Sequence, residues 1–177
     1  MFFPDRRAGN GGLLVKVSQP GVGADRFNGY EIALDASAQV LRLGRHRQNF
    51  ELIRDVSCAV RVNDWIPVVA RLTANTLEVL VDGRSVIHYE DQERPLKEGQ
   101  VGLRPWQREV RYRNFWIQRD GQKTGLPFVV APAEISPMEP GDGAWPATLA
   151  LQNLPPILFL RRSMLSGPPV AGCDLYA

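Results

Sequence analysis

Glu31 and Asp35 have the residue types for acid–base chemistry and share one side of an alternating run, Gly29-Tyr30-Glu31-Ile32-Ala33-Leu34-Asp35. Glycoside hydrolysis by two carboxyl groups needs them about 5–5.5 Å apart for retention and about 6.5–9.5 Å apart for inversion. Four residues of extended chain at about 3.3 Å each put this pair roughly 13 Å apart, and the position between them is Ala33. The pair reads as a solvated or ion-paired strand face, and no catalytic residue is assigned.

The two histidines, His46 and His88, form no HxH or HxxxH spacing, and Cys58 and Cys173 form no CxxC. Zinc therefore has no recognisable ligand set. Two unpaired thiols are the preferred reading of the cysteines, with a disulfide between them the alternative in an oxidising compartment. Asp25 and Asn28 follow the glycines of Gly21-Val22-Gly23. Their side chains suit Ca²⁺, but no second acidic ligand lies nearby in the chain, so a plain turn is the preferred reading and no cofactor is expected.

Aromatic residues mixed with arginines offer the one coherent site. Sugar recognition needs a flat aromatic face for the C–H side of a ring and planar polar groups for its hydroxyls. Tyr30, Trp106 and Trp116 supply the first, and Arg42, Arg45, Arg104, Gln107 and Arg108 the second. Tyr30, Arg45, His46, Arg104 and Trp106 are expected to share one shallow ligand face, with no pair of carboxylates at catalytic spacing beside it. Trp65 and Phe115 read as core.

Composition narrows the partners. The net charge is +2 across 177 residues. With acids scattered among the bases, this does not favour a nucleic-acid groove. Of the basic residues 18 are Arg and three Lys, which reflects composition more than phosphate recognition. No run of apolar residues is long enough to insert into a membrane, and the N-terminal Met-Phe-Phe-Pro-Asp-Arg-Arg lacks the apolar stretch of a signal peptide.

The elements that must position these side chains are strands. Period-two alternation appears at Leu13–Val17, Tyr30–Leu34, Val40–Leu43, Phe50–Ile53, Ile66–Leu72, Leu77–Val81, Arg84–Tyr89, Gln100–Arg104 and Val110–Gln118, bounded by Gly, Asn and Asp. Asp82-Gly83 suits a two-residue type I′ turn, and Asn114 marks an expected bulge in the last strand. The buried set should be Leu13, Val15, Ile32, Leu34, Leu43, Val68, Leu72, Leu77, Val79, Val101, Leu103 and Phe115. No segment of 1–120 sustains the helical period, so the fold class is an all-β, two-sheet antiparallel sandwich. Residues 121–155 are read as a proline-rich linker without regular structure, and 156–177 as the start of a further segment or domain; nine of the 14 prolines lie beyond residue 120.

Several segments carry a family resemblance: Gly29–Asp35, Trp65-Ile66-Pro67, Asn75–Gly83, Gly99-Gln100-Val101-Gly102-Leu103-Arg104 and Val110–Ile117. In this order they resemble the C-terminal half of concanavalin A-like, laminin G-like jelly rolls, nearest the bacterial 3-keto-disaccharide hydrolase-like domain of unknown function. The E-x-D-x-E strand of laminarinase-type relatives is absent. The resemblance spans roughly residues 11–118 and implies a sandwich that has lost its first strand or strands. It also implies an extracellular or periplasmic setting beside further domains of the same polypeptide. The expected function is a non-catalytic module that binds carbohydrate or another small polar ligand; a glycoside hydrolase and a structural spacer are the alternatives.

Overall fold

The computed structural model describes residues 1–125, 158–160 and 173–176. Among them there is no helix, and twelve strands alternate with turns. They are β1 (Asn10–Ser18), β2 (Asn28–Asp35), β3 (Val40–Arg47), β4 (Phe50–Ser57), β5 (Val68–Leu72) and β6 (Thr76–Val81). The remainder are β7 (Arg84–Glu90), β8 (Gln100–Trp106), β9 (Trp116–Arg119), β10 (Gln122–Gly125), β11 (Leu158–Leu160) and β12 (Cys173–Tyr176). The first sheet runs β11-β8-β1-β2-β3-β4 and the second β10-β9-β12-β5-β6-β7. Every ladder is antiparallel.

The alternation in sequence becomes the core directly. Leu13, Val15, Tyr30, Ile32, Leu34, Leu41, Leu43 and Leu103 of the first sheet meet Val68, Ala70, Leu72, Leu77, Val79, Val81 and Ile87 of the second in one buried cluster. Phe3, Ile66 and Phe115 close it. Every residue expected in the core is buried there except two: Val101 packs against it partly exposed, and Trp65 lies outside it, half-buried against the Phe2 ring at 5.3 Å.

The hairpin at Asp82-Gly83 forms as expected, with φ of 50° and 75° at the two residues, the left-handed pair a type I′ turn requires. Lys16 departs from the simple alternation. Its φ is 54°, and the register slips there against both neighbours, β2 and β8. The bulge turns Val17 away from the Leu13–Val15 face, to pack with Leu14 and Phe27 in a smaller cluster on the other side of the sheet. Lys16 itself reaches toward the second sheet and donates to the carbonyls of Thr73 and Ala74 at 3.0 and 2.9 Å.

Three other expectations change. The single strand from Val110 to Gln118 is broken at Asn114, whose φ is 54°; Arg111 makes an isolated bridge with Phe2, and β9 starts only at Trp116. The weak run after Phe50 continues to Ser57 as the last strand of its sheet, with a bulge between Leu43 and Gly44 in the ladder to β3. Gln122–Gly125, expected to lack regular structure, pairs with β9 instead. The rest of the proline-rich stretch, and the boundary at 155/156, lie outside the described residues. Beyond it, β11 pairs with β8, and β12 pairs with β5 and β9.

Candidate functional site

β1 lies between β2 and β8, and β3 lies beyond β2. Paired residues of adjacent strands present their side chains on the same face. Leu14 stands opposite Glu31 on one side and Gly102 on the other, and Gly12 stands opposite Arg104. Glu31 stands opposite Gly44 in the next ladder. Glu31, His46, Arg104 and Trp106 therefore share the face of the first sheet that points away from the core. The glycines at 12, 44 and 102 leave room for long side chains to lie across it.

Three charged or titratable groups on this face are buried: His46 is 0% exposed, Glu31 3% and Arg104 3%. His46 Nε2 is 2.8 Å from Glu31 Oε2, and Arg104 Nη1 donates to that same oxygen. Arg104 Nη2 donates to Asp25 Oδ1 at 2.8 Å. The loop carrying Asp25 thus closes over the strands, leaving the Asp25 side chain 31% exposed. Phe27 stacks on the His46 ring at 4.1 Å between centroids, and Phe50 meets it edge-on at 5.3 Å. The Arg104 guanidinium lies 4.7 Å from the Trp106 ring centroid.

Burying an arginine and a glutamate costs several kcal/mol per ion unless their mutual geometry compensates. Here Glu31 has two partners and Arg104 reaches two carboxylates. Two buried atoms remain without a hydrogen-bond partner, His46 Nδ1 and Arg104 Nε. The nearest carboxylate oxygen to His46 Nδ1, Asp25 Oδ1, is 3.6 Å away, too far for a hydrogen bond.

Of the five residues expected to form one face, the structure brings together His46, Arg104 and Trp106. Tyr30 and Arg45 point to the opposite side, into the space between the sheets. The Tyr30 hydroxyl donates to Asp91 Oδ2 at 2.6 Å, and Arg45 Nη1 donates to the same oxygen at 3.0 Å. Arg45 also pairs with Glu51 at 2.9 Å. Arg45 and His46 are consecutive residues of a strand, so their side chains must diverge; the same holds for Tyr30 and Glu31. Burial and the bond to Asp91 push the Tyr30 hydroxyl well above the ordinary tyrosine range.

Sequence reasoning missed Phe27, Phe50 and Asp91, and weighed Asp25 and Glu31 only in other roles. Asp35 Oδ1 accepts from the amides of Ser37 and Ala38 at 2.9 Å. Glu31 finds its partners across strands. Asp25 and Glu31 meet on one guanidinium, that of Arg104. The available signal was a glutamate in the middle of an apolar strand, which burial obliges to find a cation. Asp25 and Asn28, weighed for Ca²⁺, are engaged separately: Asp25 by Arg104, and Asn28 with the Gln19 side chain at 2.9 Å. Among the described residues no group of three or more His, Cys, Asp or Glu is arranged to hold a metal ion.

The 3-keto-α-glucoside-1,2-lyase-like domain model matches residues 2–118, from the buried N-terminal segment to the middle of β9. The chain belongs to this family. The match covers the Asp25, Glu31, His46, Arg104 and Trp106 positions and most of both sheets, and it makes the chain a carbohydrate-related domain. A comparison with curated proteins and one with solved structures each return no match. The buried Glu31–His46–Arg104 cluster lies within the matched range, on the outer face of the first sheet.

Proposed function

We propose that the chain is a carbohydrate-binding module, and that it holds a sugar at the Asp25–Arg104–Trp106 end of the outer face of the first sheet. The observation that carries this reading is the Asp25 carboxylate. It is fixed by a buried arginine, part-exposed, and bordered by a histidine nitrogen and a guanidinium nitrogen with no partners of their own. A sugar hydroxyl both donates and accepts, so it suits a carboxylate next to a guanidinium N–H and an imidazole nitrogen. Trp106 offers apolar surface beside them for the C–H side of the ring. Membership of a carbohydrate-related family supports the same assignment.

A second reading is favoured by one feature, the Glu31–His46–Arg104 contact. An elimination on a 3-keto glycoside, as the family description suggests, needs a base for the proton on C2. It also needs a cation for the oxygen of the resulting enolate, while the glycosidic oxygen leaves from C1. Glu31 or His46 would serve as the base and Arg104 as the cation. Both candidate bases are out of solvent and engaged with each other, which is why binding ranks first.

Glycan-array screening followed by calorimetry on the full chain separates the two. Wild type should bind a neutral sugar, and Asp25→Ala and Trp106→Ala should each weaken binding about tenfold, equivalent to roughly 1.4 kcal/mol. Unchanged binding in both variants would place the ligand elsewhere. Turnover of a 3-keto glycoside that disappears in Glu31→Gln would replace the binding reading with the enzymatic one.

A further inference from the structure

Trp65 and Trp116 line a cleft of about 220 Å³ together with Pro67, Val69, Arg113 and Asn114. Val69 and Trp116 belong to β5 and β9 of the second sheet, so this cleft is separate from the outer face of the first. We propose that it is a binding site for a single carboxylate-bearing sugar ring, a uronic acid.

Size comes first. Drug-sized ligands occupy roughly 300–1,000 Å³, so this cleft suits one small ring rather than a chain. Charge comes next. The Arg113 guanidinium carbon lies 4.0 Å from the centroid of the Trp65 ring, so its flat face is taken by the indole. A guanidinium held this way keeps its N–H edge available, in the fork geometry that matches a carboxylate. Arg113 is exposed and forms no hydrogen bond or ion pair with any described residue. The neighbouring carboxylate of Asp64 is already held by Arg61 at 2.8 Å. The Lys123 ammonium stands 3.7 Å from the Trp116 ring centroid.

The remaining groups supply what a sugar ring needs besides its carboxylate. Asn114 sits at φ 54°, a left-handed backbone that asparagine tolerates better than most residues. Its amide has no hydrogen-bond partner among the described residues and can meet a hydroxyl. Pro67, Val69 and the parts of the indoles that Arg113 and Lys123 leave uncovered provide apolar surface for the C–H side of the ring.

The test follows the tryptophan indole N–H signals of the full chain by NMR, assigned from Trp65→Phe and Trp116→Phe variants, during titration with glucuronate, glucose and acetate. Millimolar glucuronate should shift the Trp65 and Trp116 signals. Glucose, which lacks the carboxylate, and acetate, which lacks the ring, should each bind at least about tenfold more weakly. Arg113→Ala should lose about tenfold in glucuronate affinity, and Arg113→Lys should recover little of it because the fork is gone. Thermal unfolding of each variant checks that the sandwich is intact, which substitution of an exposed side chain should leave so. No shift with glucuronate, a shift confined to Trp106, an equal response to glucose or acetate, or undiminished binding by Arg113→Ala would each overturn the proposal.

Discussion

Asp91 shows how one carboxylate ties several segments together. It is 3% exposed and accepts from the Tyr30 hydroxyl, the Arg45 guanidinium and the Arg94 amide. Tyr30 Oη in turn accepts from the Leu96 amide at 3.2 Å. Burial by itself would raise the Asp91 carboxyl, but these donors outweigh it and hold the group below the ordinary carboxylate value of 3.8. A carboxyl depressed in the folded state stabilises the fold fully above its unfolded value, and that contribution is lost as pH falls through the lower folded value. Chemical denaturation as a function of pH should therefore show stability falling below about pH 4. Asp91→Asn should flatten that fall; an identical profile would remove Asp91 from its cause. A companion prediction concerns Arg104→Ala, which leaves Glu31 buried without its guanidinium and should cost about 3–5 kcal/mol in denaturant melts. The residue types at the site were legible in the sequence, but their partners were not. Arg104 meets Glu31 across an intervening strand and Asp25 through a loop, and chain spacing contains neither contact.

At the level of elements, β1 is the strand on which the first sheet turns, because it pairs with β2 and β8 and shifts register against both at Lys16. Gly99, just before β8, fits against that bulge. A Cβ at Gly99 would stand 2.3 Å from the Lys16 carbonyl carbon and 2.5 Å from the Val17 nitrogen. Those are backbone atoms of a central strand, which cannot yield as a flexible side chain can. Gly99→Ala should therefore lower the melting temperature more than Gly121→Ala, where no atom lies within 4 Å of the added Cβ and only the positive φ opposes the change. Similar losses in calorimetric scans would show that the close approach is unimportant. The strands themselves were readable because alternation with a buried face is a strong signal. The Lys16 bulge was not, since lysine carries no preference for positive φ; its reason is the pair of carbonyls it meets in the second sheet. Asn114 was readable as an irregularity, but it ends a strand instead of bulging it.

Across the whole molecule, the two sheets share one apolar cluster, so neither can be loosened alone. Leu43 and Leu77 are 0% and 2% exposed, on opposite sides of that cluster. Truncating either to Ala should cost about 2–5 kcal/mol through lost burial and the cavity left behind. Fluorescence and circular dichroism should report the same single unfolding transition for both variants. Two separated transitions would mean that the sheets unfold as independent units. The sandwich class and nearly all of the core followed from the sequence, because burial is a property each strand advertises in its own residues. The distribution of the site did not. Tyr30 and Arg45 went to the inter-sheet space and His46 and Arg104 to the outer face, a division that depends on which face of each strand meets the second sheet.

Among the described residues no strand pairs with the outer edge of β4, the last strand of the first sheet, and such edges invite another molecule to add itself as a further strand. Its sequence makes that addition difficult. Glu51, Arg54 and Asp55 are exposed along it, and the bulge against β3 breaks the even spacing a newcomer would need to follow. Only Leu52 among its large apolar side chains is substantially exposed, at 52%. The same few residues that end the sheet therefore also discourage these molecules from joining edge to edge into fibres.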